Sequence, residues 1–156
     1  MERIEKTIMQ ISMKCSLAVH CLIFIHEAKG IVKVTSNLLA ESTGSNPVVI
    51  RNILSALKKA GILTVPRGTG GAELCVDPAQ LTLYQIYTAL EPNGVTGLIG
   101  IHPCEGRACP VAQNIRKVLE QPYHKIEHAV EKTMKEITLQ SMIEDFHALV
   151  KSRAES

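Results

Sequence analysis

The chain has 156 residues, with 17 Lys and Arg against 15 Asp and Glu, a formal charge of +2 and 46% apolar residues. That length fits one domain with a helical extension, and the apolar share excludes a disordered chain. Aromatics make up 3% and Trp is absent, which excludes single-strand readers built on stacking platforms and leaves an aliphatic core.

The opening segment reads as helix. Ile4, Ile8, Ile11, Cys15, Ala18, Leu22 and Ile25 alternate at four and three residues and form one apolar stripe, with Ser12 available to cap a second start and Gly30 to end it. The first residues, Met1-Glu2-Arg3-Ile4-Glu5-Lys6, carry acids and no short basic segment leading into a small-residue cleavage site, so no secretory signal is expected. No apolar run approaches the roughly 18 residues of a membrane span, so no membrane contact is expected either. The reading is a cytoplasmic protein, in which the five cysteines serve as thiols, metal ligands or redox sensors rather than structural bridges.

A short helix is predicted over Ser36 to Glu41, then a break at Thr43-Gly44-Ser45. Asn46-Pro47 restarts the helix, Asn capping free amides and Pro lacking a donor that would go unpaired. Ile50, Ile53, Leu54 and Leu57 form the buried face of this helix, and Gly61 terminates it. Two β-type stretches, Ile62 to Pro66 and Ala72 to Val76, flank Arg67-Gly68-Thr69-Gly70-Gly71, a turn whose glycines permit a tight reversal. Thr82 and Gln85 fit a capping box, opening a helix with Leu83, Ile86, Tyr87 and Leu90 on one face. Pro92 to Pro110 holds four of the ten glycines and three of the seven prolines, and reads as a loop. Two further helices are predicted, from Val111 to about Ile137 with a break near Pro122, and from Leu139 to Val150. The predicted class is mainly α with a small β-hairpin wing: a winged helix-turn-helix followed by C-terminal helices.

In such a unit the helix after the turn enters the major groove. With its apolar face inward, Val48, Arg51, Asn52, Ser55 and Lys59 point outward. Arg and Asn suit guanine and adenine edges, while Ser45 and Asn46 at the helix N-terminus suit phosphate oxygens. Arg67, with Gly68, Thr69 and Gly70 at the wing tip, is placed for the minor groove. Charge supports the reading. From Ser42 to Ala72 there are four bases (Arg51, Lys58, Lys59, Arg67) and no acid, whereas Glu120 to Ser156 holds seven acids and five bases.

Several strings then become recognisable: Ser12-Met13-Lys14 before Ala18-Val19, Asn46-Pro47-Val48-Val49-Ile50-Arg51, and Leu57-Lys58-Lys59-Ala60-Gly61-Ile62-Leu63. With Arg67-Gly68-x-Gly70-Gly71-Ala72-x-Leu74, Leu81-Thr82-Leu83 and Ala89-Leu90-Glu91, they resemble the Rrf2 family of bacterial transcriptional regulators from about Met9 to Val150. Asn46-Pro47-Val48-Val49 and Cys109-Pro110-Val111 look most like its YwnA-like branch. The expected division is a DNA-binding domain over 9–91, a sensor or effector loop over 92–110 and dimerisation helices over 111–150. The resemblance implies a homodimer on a palindromic operator, with the late long helix pairing across the twofold axis. Ile126, Val130, Met134 and Ile137 lie on one face of that helix and are the candidate dimer contacts.

His102, Cys104 and Cys109 are the candidate redox or effector residues of the loop. The family's iron–sulfur members place three cysteines here. This chain has two: Cys109 matches the last, Cys104 roughly the middle one, and nothing supplies the first. Ala112 stands where some cluster-binding relatives have His. A cluster takes four ligands, so no cofactor is expected, and one His beside C-x4-C is a weak zinc pattern. A thiol switch is the preferred sensor reading. Cys109 precedes a helix whose dipole favours a thiolate, Arg107 adds positive charge, and Cys104 is close enough in sequence to form a disulfide with it. A bridge or ligand there would constrain the helices on both sides of the loop and change the spacing of the reading helices. Cys15 and Cys21 read as core and Cys75 as a wing residue without a visible partner. His20, His26, His124, His128 and His147 read as surface.

No nucleophile elbow, Walker loop or HExxH motif is present, so no enzyme is expected. The sequence reading is a dimeric repressor binding double-stranded DNA and responding to thiol oxidation. Its alternatives are an adaptor acting through a protein partner and an iron–sulfur-dependent regulator.

Overall fold

A computed structural model describes residues 2–67, 71–104 and 109–155, with side chains of the first helix described from Met13 onward. Helix α1 runs from Glu2 to Glu27 without a restart at Ser12. The reason is local: neither Gly nor Pro interrupts those residues, so nothing frees amides for Ser12 to cap. Ala18, Leu22 and Ile25 are buried, as the stripe predicts.

Helix α2 (Ser36–Thr43) starts where Thr35 Oγ1 accepts from the Leu38 amide at 3.2 Å. It runs two residues past the predicted Glu41 and ends at Gly44, whose φ of 65° suits glycine. There the Ser45 amide reaches back to the Ala40 carbonyl at 3.1 Å. Helix α3 (Pro47–Lys59) follows at once, with Asn46 Oδ1 accepting from the Val48 amide at 2.8 Å. Ile50, Ile53 and Leu57 are buried and Leu54 packs partly buried against the same core.

Strands β1 (Leu63–Thr64) and β2 (Glu73–Leu74) pair antiparallel, Leu63 opposite Leu74 and Thr64 opposite Glu73. They are shorter than the two predicted five-residue stretches. Pro66 has no amide for the ladder, and on the edge of β2 away from β1 the Ala72 amide bonds to the Val34 carbonyl at 2.9 Å.

Helix α4 (Leu83–Leu90) opens on the predicted capping box, with Gln85 N donating to Thr82 Oγ1 and Thr82 N to Gln85 Oε1. Helix α5 (Pro110–Glu136) is unbroken, contrary to the break expected at Pro122. Proline removes one amide and crowds the carbonyl four residues back, but both Val118 and Pro122 are exposed, so water can satisfy that carbonyl. Helix α6 (Leu139–Ala154) extends four residues past the predicted Val150.

The α5–α6 corner is bonded to the chain entering α4, Leu83 N to the Ile137 carbonyl and Leu139 N to the Leu81 carbonyl, both at 2.8 Å. Leu139 and Ile143 thereby enter one core with Leu22, Leu39, Ile50, Leu57 and Ile86. Thr82 serves both the cap and this corner. We expect Thr82→Ala to cost about 0.5–2 kcal/mol, read as a lower urea midpoint, and Thr82→Ser to restore most of it.

Candidate nucleic-acid interface

The outward face of α3 has the composition expected of it. Asn46, Val48, Arg51, Asn52, Ser55 and Lys59 are all exposed, and Ser45 is half-buried at the end of the turn. No residue of α3 is acidic, and Lys58 and Lys59 occupy its last turn. Asn46 spends its carboxamide oxygen on the Val48 amide, leaving its NH2 as a donor. A helix 10–12 Å across matches a major groove about 12 Å wide. The Ile62 amide donates to the Leu57 carbonyl at 3.0 Å and Gly61 takes a φ of 74°, so the chain leaves α3 directly into the wing. Arg67 is exposed at the end of the first wing arm. Gly68, Thr69 and Gly70 lie outside the described residues.

Comparison with known proteins decides the lineage. Residues 11–145 match the Rrf2 family, iron-dependent transcriptional regulators. The chain belongs to the Rrf2 family. YwnA of Bacillus subtilis strain 168, described as an HTH-type transcriptional regulator, is 32% identical over 133 residues, covering 85% of this chain and 96% of YwnA. A transcriptional regulator from Lactobacillus plantarum is 29% identical with a TM-score of 0.71, over 92% of this chain and 98% of that one. The crystal structure of a protein described as DNA-binding is 30% identical with a TM-score of 0.66, over 83% and 98%. The resemblance read from the sequence is therefore borne out, as is the winged helical fold class. The protein is a DNA-binding transcriptional regulator, and its relatives are described as regulators rather than enzymes. Among the described residues no helix is long and apolar enough to cross a membrane.

In this Rrf2 member the loop after α4 brings Cys104 beside His102. Cys104 Sγ lies 3.3 Å from the His102 carbonyl and 3.9 Å from His102 Nε2, so the structure brings two of the three candidate sensor residues together. Residues 105–108, Arg107 among them, lie outside the described residues. Cys109 is exposed and occupies the N-cap of α5. Its sulfur makes no full capping hydrogen bond, yet the amides of Ala112 and then Val111 hold its pKa below the ordinary thiol value. Cys21, by contrast, is buried in α1 and burial pushes its thiol up to about 11, so it is inert core. Among the described residues no group of three or more His, Cys, Asp and Glu is arranged to hold a metal.

Of the four dimer candidates on and after α5, Ile126 is exposed, while Val130, Met134 and Ile137 are half-buried against their own chain. Val111 and Val118, seven residues apart on the same helix, are more exposed than any of them, at 66% and 62%. Sequence reasoning missed Glu127. It is buried on α5, with Oε1 accepting from the Gly97 amide at 2.7 Å and Oε2 lying 3.2 Å from His124 Nδ1. It thus ties the loop to the long helix, and gives His124 a partner that its surface reading lacked. The available signal was an acid in helical register between Tyr123 and Val130.

Proposed function

We propose that the protein is a homodimeric repressor that reads a palindromic operator, α3 in the major groove and the Arg67 wing in the adjacent minor groove. The acid-free exposed face of α3, carrying Arg51, Asn52 and Lys59, supports this reading most. One chain presents one such helix, and a palindrome with half-sites a turn apart calls for two. The exposed apolar residues of α5, Val111, Val118 and Ile126, offer the second copy a surface, with Val130, Met134 and Ile137 at its inner edge. The test is titration of duplexes from the gene's own promoter region against a scrambled duplex. A salt-dependent preference for one palindrome, by a species of twice the chain mass, supports the reading. Binding that ignores sequence and salt, with an enzyme co-purifying in stoichiometric amount, favours the protein-partner adaptor.

The same reading makes Cys109 the effector residue. Peroxide would oxidise its thiolate to a sulfenic acid with release of water or hydroxide. Attack by Cys104 would expel a second water and leave a disulfide. Because the Cys109 pKa is lowered, its thiolate fraction rises earlier with pH than that of an ordinary thiol. Alkylation by iodoacetamide followed by mass spectrometry should therefore show the Cys109 rate levelling off at lower pH than an unperturbed thiol peptide. Cys21 should stay unlabelled in the folded protein. Equal operator affinity for the reduced, oxidised, Cys104→Ser and Cys109→Ser proteins would remove the switch and leave the DNA reader intact.

A further inference from the structure

The connection between α1 and α2 is bound to the wing. The Ala72 amide donates to the Val34 carbonyl at 2.9 Å, so β2 has β1 on one side and the Val34 segment on the other. Helix α3 packs against β1, and α1 against β2. Moving outward from the reading helix, the order is α3, β1, β2 and then the segment ending at Val34. Gly71 permits this approach: a Cβ there would sit 2.9 Å from the Val34 nitrogen and 3.4 Å from Lys33 Cγ. The Lys33–Val34 backbone therefore lies against the wing because residue 71 has no side chain.

Lys29 and Lys33 are exposed, and neither makes an ion pair among the described residues. No acid lies between Ala28 and Thr35. Of the acids nearby, Glu27 is engaged by His26 Nδ1 at 3.1 Å and His147 Nε2 at 2.9 Å, and exposed Glu73 offsets one of the lysines. With Arg67 the outer edge of the wing remains net positive.

We propose that Lys29 and Lys33 form a second grip on the DNA backbone, taking phosphates on the far side of the groove that the wing enters. The inference rests on the DNA-reading assignment of α3 and the wing. Neighbouring strands lie about 4.8 Å apart, and the minor groove is only about 6 Å wide. A segment one strand outside the β-hairpin thus overlies the flanking backbone rather than the groove floor. Ammonium groups suit phosphates as point charges and carry no base preference. Ile31 and Val32, exposed at the crown between the lysines, are the features a protein partner would use instead. Continuity with the wing favours DNA.

The test compares the full-length wild type with Lys29→Gln/Lys33→Gln by fluorescence anisotropy, on operator and scrambled duplexes from about 50 to 200 mM salt. The expected result is a similar fold-loss of affinity on both duplexes. The slope of log affinity against log salt should flatten by about 0.9 for each phosphate contact removed. Gly71→Ala, which displaces Lys33 without changing charge, should give part of that loss while keeping a two-state unfolding transition. An unchanged slope beside a salt-dependent wild type overturns the proposal and leaves the crown to a protein contact. A wild type that binds no DNA in either redox state overturns the DNA-reading assignment itself, and this inference with it.

Discussion

Arg51→Ala is expected to lower operator affinity by about 1–3 kcal/mol, roughly five- to 150-fold, with the loss concentrated at one or two base positions. Arg51 is exposed at the centre of an acid-free helix face, one residue after fully buried Ile50, so the core sets its direction. A guanidinium bidentate to a guanine edge carries sequence information, whereas Lys59 at the end of α3 has the chemistry of a phosphate contact. The two are separable. Arg51→Ala should flatten specificity across a panel of single-base operator variants with little change in salt slope. Lys59→Gln should weaken all duplexes alike and reduce the slope by about 0.9. A uniform loss from Arg51→Ala would reassign it to the backbone.

Leu57→Ala should have the largest effect on the fold, a destabilisation of about 2–5 kcal/mol, read as a fall in the urea midpoint at constant m. Leu57 is fully buried and its carbonyl receives the Ile62 amide at the point where α3 passes into the wing. Truncation removes apolar contacts from the core, and a close-packed interior refills such a space only in part. Against a typical total of about 5–15 kcal/mol the loss is a large fraction, so DNA binding should fail at temperatures where the wild type still binds. Lys58→Ala, one residue away and exposed, should stay within about 0.5 kcal/mol. Its near-neutrality would show that burial, rather than helix position, sets the Leu57 effect.

The features read correctly in advance are those whose causes lie within a few residues. Asn46-Pro47, the Thr82–Gln85 box and Gly44 each act on amides or carbonyls two to four positions away, so the string of residues contains the whole interaction. The exposed polar face of α3 was legible for the same reason. Once Ile50, Ile53 and Leu57 face the core, helical geometry sends Arg51, Asn52, Ser55 and Lys59 outward. The lowered pKa of Cys109 was legible too, because its cause is the Ala112 and Val111 amides in the first turn of the helix that follows it.

Errors arose where a local rule met a distant or solvent-side compensation. Pro122 argues for a break, but the carbonyl it orphans sits on an exposed face of α5, and the helix continues. The wing strands pair over two residues each, Pro66 having no amide for the ladder, and on the outer edge of β2 the Ala72 amide finds Val34, far away in sequence. Three of the four residues of the expected dimer stripe turn toward their own chain, while Val111 and Val118 emerge as more exposed apolar residues of α5 than Ile126.

By itself, then, the sequence determined the helix boundaries set by caps, the acid-free exposed face of α3 and membership of the Rrf2 family. The tertiary structure alone decided that Leu139 and Ile143 share one core with Leu22, Ile50 and Leu57, that Glu127 anchors the Gly97 turn, and that Lys33 lies along the wing. The division is physical. Capping and helical periodicity are satisfied within one turn, whereas burial and the pairing of a lone amide or carboxylate depend on which distant segment the fold brings within 3 Å.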